Sequence, residues 1–169
     1  MSFEPRVPVP PGATKDSVHD LSAVLQHYVP ETLAARNAFN AALESSTTDP
    51  QARELVRLHN AEAVDCNYCR NVRYGDGTGE AILDEGAAGA LKNFESSDLL
   101  AAHKAALRLA SAFALEPGVA PTQVLPDLRE HYSDSEIADL VLQLVRCRAG
   151  SKLLVSLGLE PRSMPLTVI

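Results

Sequence analysis

Tryptophan is absent from this 169-residue chain, and aromatic residues make up only 5% of it. A platform of rings for stacking unpaired bases is therefore not expected. Positive charge is also scarce. Fifteen Lys and Arg stand against 22 Asp and Glu, a formal net charge of −7. Such a chain gains little from neutralising phosphates, which argues against nucleic acid or an anionic membrane as partner. No apolar run approaches the ~20 residues that span a bilayer. The first twelve positions are proline-rich rather than charged and then apolar, so they do not read as a secretion signal. The expectation is a soluble, cytoplasmic protein. Cysteine is sparse as well, with three in the chain. That is too few for a secreted disulfide framework, and in a reducing compartment a close pair points to catalysis or metal binding.

Strand signals are missing too. No segment sustains the period-two alternation of a half-buried strand, and there is no internal repeat or low-complexity tract. What is present is helical periodicity over a length suited to one domain, 1–169, with a core of its own. An extended arm is expected over 1–14, where Pro5, Pro8, Pro10 and Pro11 prevent helix. It would dock across the body or reach a neighbouring subunit. From Ser17, the residues Val18, Leu21, Leu25 and Tyr28 recur at helical spacing up to Pro30, and residues 31–43 read as a second helix with Leu33, Phe39 and Leu43 on its apolar side. Asp49-Pro50 opens a third, with Asp as N-cap and Pro in the first turn. Gly75 to Gly79 is a strong turn signal, and a helix is expected over 80–92. Residues 96–115 carry the clearest stripe: Leu99, Leu100, His103, Ala106, Leu107, Ala110 and Phe113. A shorter helix over 121–132 should be interrupted near Pro126. Ser133 and Glu136 fit a capping box that opens a helix running to Leu157, stopped by Gly158. Pro161 and Pro165 mark an extended tail over 159–169. The fold class is all-α, a bundle of about seven or eight helices.

Reactive side chains concentrate in one stretch, Glu54 to Tyr74, which contains Glu54, His59, Glu62, Asp65, Cys66, Tyr68, Cys69 and Arg73. A C-x-x-C pair serves thiol–disulfide chemistry or half of a zinc site. Zinc needs further ligands, and no second C-x-x-C or H-x₃-H pair supplies them, so no metal and no cofactor is expected. On a helix, Cys66 and Cys69 share a face, with Asp65 expected as N-cap and Arg73 one turn beyond, both features of a setting that favours thiolate. Two carboxylates compete to handle protons. Glu62 lies four residues before Cys66 on a face shared with His59, where desolvation would raise its pKa. Glu54 is twelve residues before Cys66, ~18 Å of rise in an unbroken helix. It can approach the thiols only if the chain turns near Val64–Asp65. His103 reads as a satisfied core or interface histidine; His19, His27 and His131 have no partner pattern. Cys147, between Arg146 and Arg148, reads as a packed free thiol.

This arrangement resembles the active-site motif of the alkyl hydroperoxidase D (AhpD) and carboxymuconolactone decarboxylase superfamily: a Glu, eleven intervening residues, C-x-x-C, then a His four residues on. Glu54, Cys66 and Cys69 fall on those positions, and Tyr68 is a common choice before the second Cys. The segment Tyr132 to Leu140 is similar as well. The resemblance covers roughly residues 30–157. It implies an AhpD-like helical fold, a homo-oligomer (dimer, trimer or hexamer) and reduction of hydroperoxides. In that scheme Cys69 attacks the peroxide, Cys66 resolves the sulfenic acid to a disulfide, and a dithiol partner of the lipoyl or thioredoxin-like class restores both thiols. Glu54 would accept and pass protons. The sequence departs from the motif at one place: Arg73 stands at the His position. An arginine stabilises a thiolate but cannot relay a proton near neutral pH, which leaves His59 or Glu62 as substitutes. Two other functions fit the residues. One is a decarboxylase-like enzyme, although that branch usually lacks the cysteine pair. The other is a thiol redox sensor without turnover.

Overall fold

Nine residues of the third helix are buried, on almost every side of it, and the rest of the chain is arranged around them. The computed structural model is described here for residues 5–11, 19–115, 120–161 and 163–169. The helical elements are α1 (His19–Tyr28), α2 (Pro30–Glu44), α3 (Pro50–Val64), α4 (Asn67–Asn71), α5 (Glu85–Gly89), a 3₁₀ segment (Ala90–Ser96), α6 (Ala101–Leu115), α7 (Ala120–Arg129) and α8 (Asp134–Leu157). Strands β1 (Val72–Arg73) and β2 (Thr167–Val168) pair in parallel, Val72 with Thr167 and Arg73 with Val168.

The helix starts follow from local chemistry. Asp49 accepts the Gln51 N–H at 2.9 Å with Pro50 in the first turn of α3. Ser133 and Glu136 exchange side-chain and backbone bonds as a complete capping box for α8. Gly158 ends α8 in the left-handed conformation, φ 67°.

Helix α3 packs against α6 on one side and α8 on another. Ala52 and Val56 join Leu109, Leu128, Leu140 and Leu144 in one apolar cluster, which α7 closes. Leu55 and Leu58 join Leu83, Leu91 and Leu107 in a second. Each fully buried leucine contributes about 1.5–3 kcal/mol. A third cluster joins Leu21 and Val24 of α1 to Leu154, Leu159 and Cys66, with Val7 and Val9 of the arm packed on it. The described part of the arm, residues 5–11, therefore crosses the body. Arg6 N–H donates to the Leu157 carbonyl at 2.8 Å, and its guanidinium reaches the Ser156 carbonyl.

Several sequence expectations differ from the structure. Residues 80–92 are not one helix. Ala81 bridges back to Gly75, and the helical turns begin only at Glu85 under an Asp84 cap. Helix α7 passes through Pro126, because one missing N–H costs a single hydrogen bond while Leu128 is held in the core. Leu100 lies outside the apolar stripe, before α6 and mostly exposed, and Phe39 is exposed on α2. Two-residue strands are too short to show alternation. The helix beginning expected at Ser17 and the Glu116–Gly118 stop lie outside the described residues. Among the described residues no helix is long and apolar enough to cross a membrane.

Candidate active site

The chain turns between α3 and α4, and the turn is made by Asp65. This residue adopts the left-handed conformation, φ 57° and ψ 40°, and ends α3. Cys66 N–H then donates back to the Ala61 carbonyl at 3.1 Å, closing a Schellman-type stop. Asp65 is thus not the N-cap of the cysteine helix. Cys66 takes that position, its sulfur accepting the Cys69 N–H at 3.2 Å. Asp65 instead pairs with Arg70 at 2.7 Å.

Cys66 and Cys69 are joined as a disulfide, with Cα atoms 5.3 Å apart. Their environments differ. Cys66 is fully buried beneath α1 and the end of α8, whereas Cys69 is half-buried. Among the described residues each sulfur has one donor. Cys66 has the Cys69 N–H, and Cys69 receives the Ser151 hydroxyl at 3.2 Å. Helix α4 has only five residues, and its Asn67 N–H is taken by the Glu160 carboxylate at 2.6 Å. Burial pushes the Glu160 pKa up, and Asp65 adds to that. The positive helix end expected to favour a thiolate is thus partly occupied by an anion.

Glu54 is 2% exposed and does not stand alone. Arg57 donates to its two oxygens from Nε and Nη2 at 2.6 and 2.7 Å, and the Tyr74 N–H adds a third bond at 3.2 Å. The same guanidinium donates to the carbonyls of Cys69 (2.8 Å) and Val72 (2.6 Å) and lies over the Tyr74 ring at 4.7 Å. Burial alone would lower the Arg57 pKa. The hydrogen bonds and charge of Glu54 outweigh it, and the guanidinium is held protonated. Glu54 is therefore connected to the cysteine segment through Arg57, a residue the motif does not include. Its signal in the sequence is the run Glu54, Arg57, Asn60, polar positions three apart on a helix otherwise apolar at Leu55, Val56, Leu58 and Ala61.

The remaining candidates fall in different places. Arg73 is on β1, not on the cysteine helix. Its guanidinium donates to both Glu85 oxygens and to the carbonyls of Arg70 and Val72. His59 turns away from the cysteines toward α6. Its Nε2 shares a 2.9 Å hydrogen bond with Ser111 Oγ and its ring stands edge-on to Phe94. Burial lowers its pKa, with Glu62 opposing. Glu62 is exposed and loosely paired with Arg70 at 3.8 Å, so the desolvated setting expected for it does not exist. Tyr68 packs on the α1–α8 cluster, and burial raises its phenol pKa. His103 is buried and bonded through Nε2 to Asp49 at 2.7 Å. Burial pushes the Cys147 thiol up against the opposing charges of Arg146 and Arg57.

A cavity of about 900 Å³ opens beside this network, lined by Glu54, Tyr74, Arg53, Arg146 and Ile82 among others, but by neither Cys66 nor Cys69. Among the described residues, the side chains brought together at metal-ligand spacing are Asp127, Glu130 and His131, far along the sequence from the cysteines.

The fold places the chain in a structural class: it has the AhpD-like all-helical fold. A solved structure from Agrobacterium tumefaciens superposes with a TM-score of 0.68, at 19% identity, over 82% of this chain and 96% of that one. That protein is of unknown function and has been assigned provisionally to antioxidant defence as an AhpD. By sequence, the chain is 34% identical over 117 residues to an uncharacterized protein of Mycobacterium tuberculosis, found in two strains. The match takes in 66% of this chain but only 39% of the mycobacterial protein. No protein-family model matches the chain.

Proposed function

We propose that the protein is a cytoplasmic thiol-dependent oxidoreductase of the alkyl hydroperoxidase type, reducing hydroperoxides with Cys66 and Cys69. The observation that carries this reading is the asymmetry of the pair: Cys66 fully buried, Cys69 half-buried, each sulfur with its own hydrogen-bond donor. The less buried Cys69, as thiolate, attacks the peroxide. The O–O bond breaks, the sulfur takes the terminal oxygen as sulfenic acid, and the departing alkoxide is protonated to the alcohol. The buried Cys66 thiolate then attacks the Cys69 sulfur. The S–S bond forms, and the hydroxide that leaves is protonated to water. Two thiols and one hydroperoxide give a disulfide, an alcohol and water. A dithiol of the lipoyl or thioredoxin-like class returns two electrons and two protons.

Bonded to Arg57 through both oxygens, Glu54 acts in this scheme by anchoring that guanidinium against the Cys69 carbonyl, a role its geometry supports better than carrying protons. A homo-oligomer belongs to the same reading. Exposed Leu142 and Val145 on α8 support it.

A second reading, a thiol sensor that is oxidised without turnover, is favoured by Arg73 itself, which is paired with Glu85 and cannot relay a proton near neutral pH. Thiol titration with and without an organic hydroperoxide, followed by continuous peroxide consumption in the presence of a dithiol, decides between them. Loss of two thiols with sustained consumption is the expected result. Loss without consumption selects the sensor. Unchanged thiols in both arms would sink both readings.

A further inference from the structure

We propose that Ser151, oriented by Asn60, sets the reactivity of Cys69 by donating its hydroxyl proton to the sulfur. The inference rests on the reading of the cysteine pair as a redox site and adds to it a residue more than eighty positions away, on another helix.

The hydroxyl of a serine inside a helix ordinarily bonds the carbonyl one turn back. Ser111 in α6 does so, donating to the Leu107 carbonyl at 2.9 Å. Ser151 in α8 does not. It points across to α4, with its oxygen 3.2 Å from Cys69 Sγ. It is 3% exposed. Asn60 of α3, 2% exposed, presents Nδ2 to the Ser151 oxygen at 3.5 Å. A hydroxyl has a single proton, and with the amide N–H directed at its oxygen that proton is left for the sulfur. Among the described residues, Asn60 Oδ1 is buried without a partner. An amide turned the other way would instead draw the hydroxyl proton to itself.

A disulfide sulfur is a weak acceptor and a thiolate a strong one. The bond therefore tightens when Cys69 is reduced and ionised, and it favours that state over the thiol and over the disulfide. The ionisable groups around the corner are Glu54 and Arg57 of α3, Cys66, Tyr68 and Arg70 flanking Cys69, Asp65 and Glu160 at the start of α4, Arg73 and Tyr74 beyond it, and Arg146 and Cys147 of α8. A change confined to Ser151 leaves all of them in place.

The test measures the rate of Cys69 alkylation against pH in the reduced full-length protein, read by peptide mass mapping, and the equilibrium of its disulfide with dithiothreitol. Losing a hydrogen bond to a charged group corresponds to about one pH unit or more. In Ser151→Ala the apparent Cys69 pKa should rise by about that much, and the disulfide should become roughly tenfold harder to reduce. Ser151→Thr, which keeps the hydroxyl, should restore both values. Asn60→Ala should move them in the same direction as Ser151→Ala but less far, and it stands in if the alanine variant does not fold. Ala and Thr variants that match each other, or an Ala variant with the wild-type Cys69 pKa, overturn the proposal. The redox reading fails differently: hydroperoxide would leave the thiols of the wild-type protein unchanged, whatever the pKa comparison gives.

Discussion

Arg57 and Glu54, one turn apart on α3, form a closed pair. The guanidinium donates to both carboxylate oxygens and, with its remaining capacity, to the carbonyls of Cys69 and Val72. Both side chains are buried. The pair therefore ties the centre of the molecule to the segment that carries the sulfurs.

Removing one partner of a buried pair strands the other charge, at about 3–5 kcal/mol. Arg57→Met should lower the stability to urea by that order. The double variant Glu54→Gln/Arg57→Met should recover part of the loss. Strictly additive losses would mean that the two side chains are not coupled.

The unequal burial of the sulfurs predicts an order of reaction. After reduction, a bulky alkylating reagent should modify Cys69 well before Cys66. Cys66→Ser should let hydroperoxide drive Cys69 to a trappable sulfenic acid, while Cys69→Ser should show no peroxide-dependent change. A Cys69→Ser protein that still consumes peroxide at the wild-type rate would place the chemistry elsewhere.

Arg73 is held by Glu85 and by two carbonyls at the end of α4. Arg73→His gives up those bonds. It should destabilise the protein by about 1–2 kcal/mol and should not raise peroxide consumption, because this position is directed at Glu85. A clear gain in turnover would show that a proton carrier was the missing part after all.

His59 gives a pH signature. Burial depresses its folded-state pKa below the ordinary 6.5. The unfolded chain therefore binds a proton first as the pH drops. The stability associated with neutral His59 is fully present above 6.5 and is lost as the pH falls from there through the folded-state value. His59→Gln should flatten the dependence of urea midpoint on pH across this window. An unchanged slope would assign it to other groups.

The capping box offers a control away from the cysteines. Ser133 accepts the Glu136 N–H and anchors the first turn of α8. Ser133→Ala should cost about 1 kcal/mol without changing the Cys69 pKa. A change in that pKa would mean that α8 as a whole, rather than Ser151, controls the thiol.

Features closed within a few residues were legible in the sequence. The Asp49-Pro50 start, the Ser133 box and the Gly158 stop are local side-chain and backbone chemistry, and the structure has each. The all-helical bundle followed from periodicity. Features set by tertiary packing were not legible. Arg57 looks like a solvated charge until α3 is seen to be covered on nearly all sides. Asp65 before a short helix reads as a cap, yet it serves the helix behind it. Ser151 resembles any small residue in a long helix, and only the docking of α8 against α4 reveals its contact with Cys69. Pro126 argues locally for a break, which the packing of α7 overrides.

The closure of the cysteine corner by the far end of the chain has a consequence for folding order. Asn67 is held by Glu160 and Pro161, 93 and 94 positions along, and β1 waits for β2. Cys66 and Cys69, by contrast, are three residues apart. Contacts that distant form slowly, whereas neighbouring thiols meet early. The two thiols thus meet before the surroundings that govern their reactivity are assembled. Pulsed alkylation during refolding from the reduced state should find Cys66 protected only in the last kinetic phase.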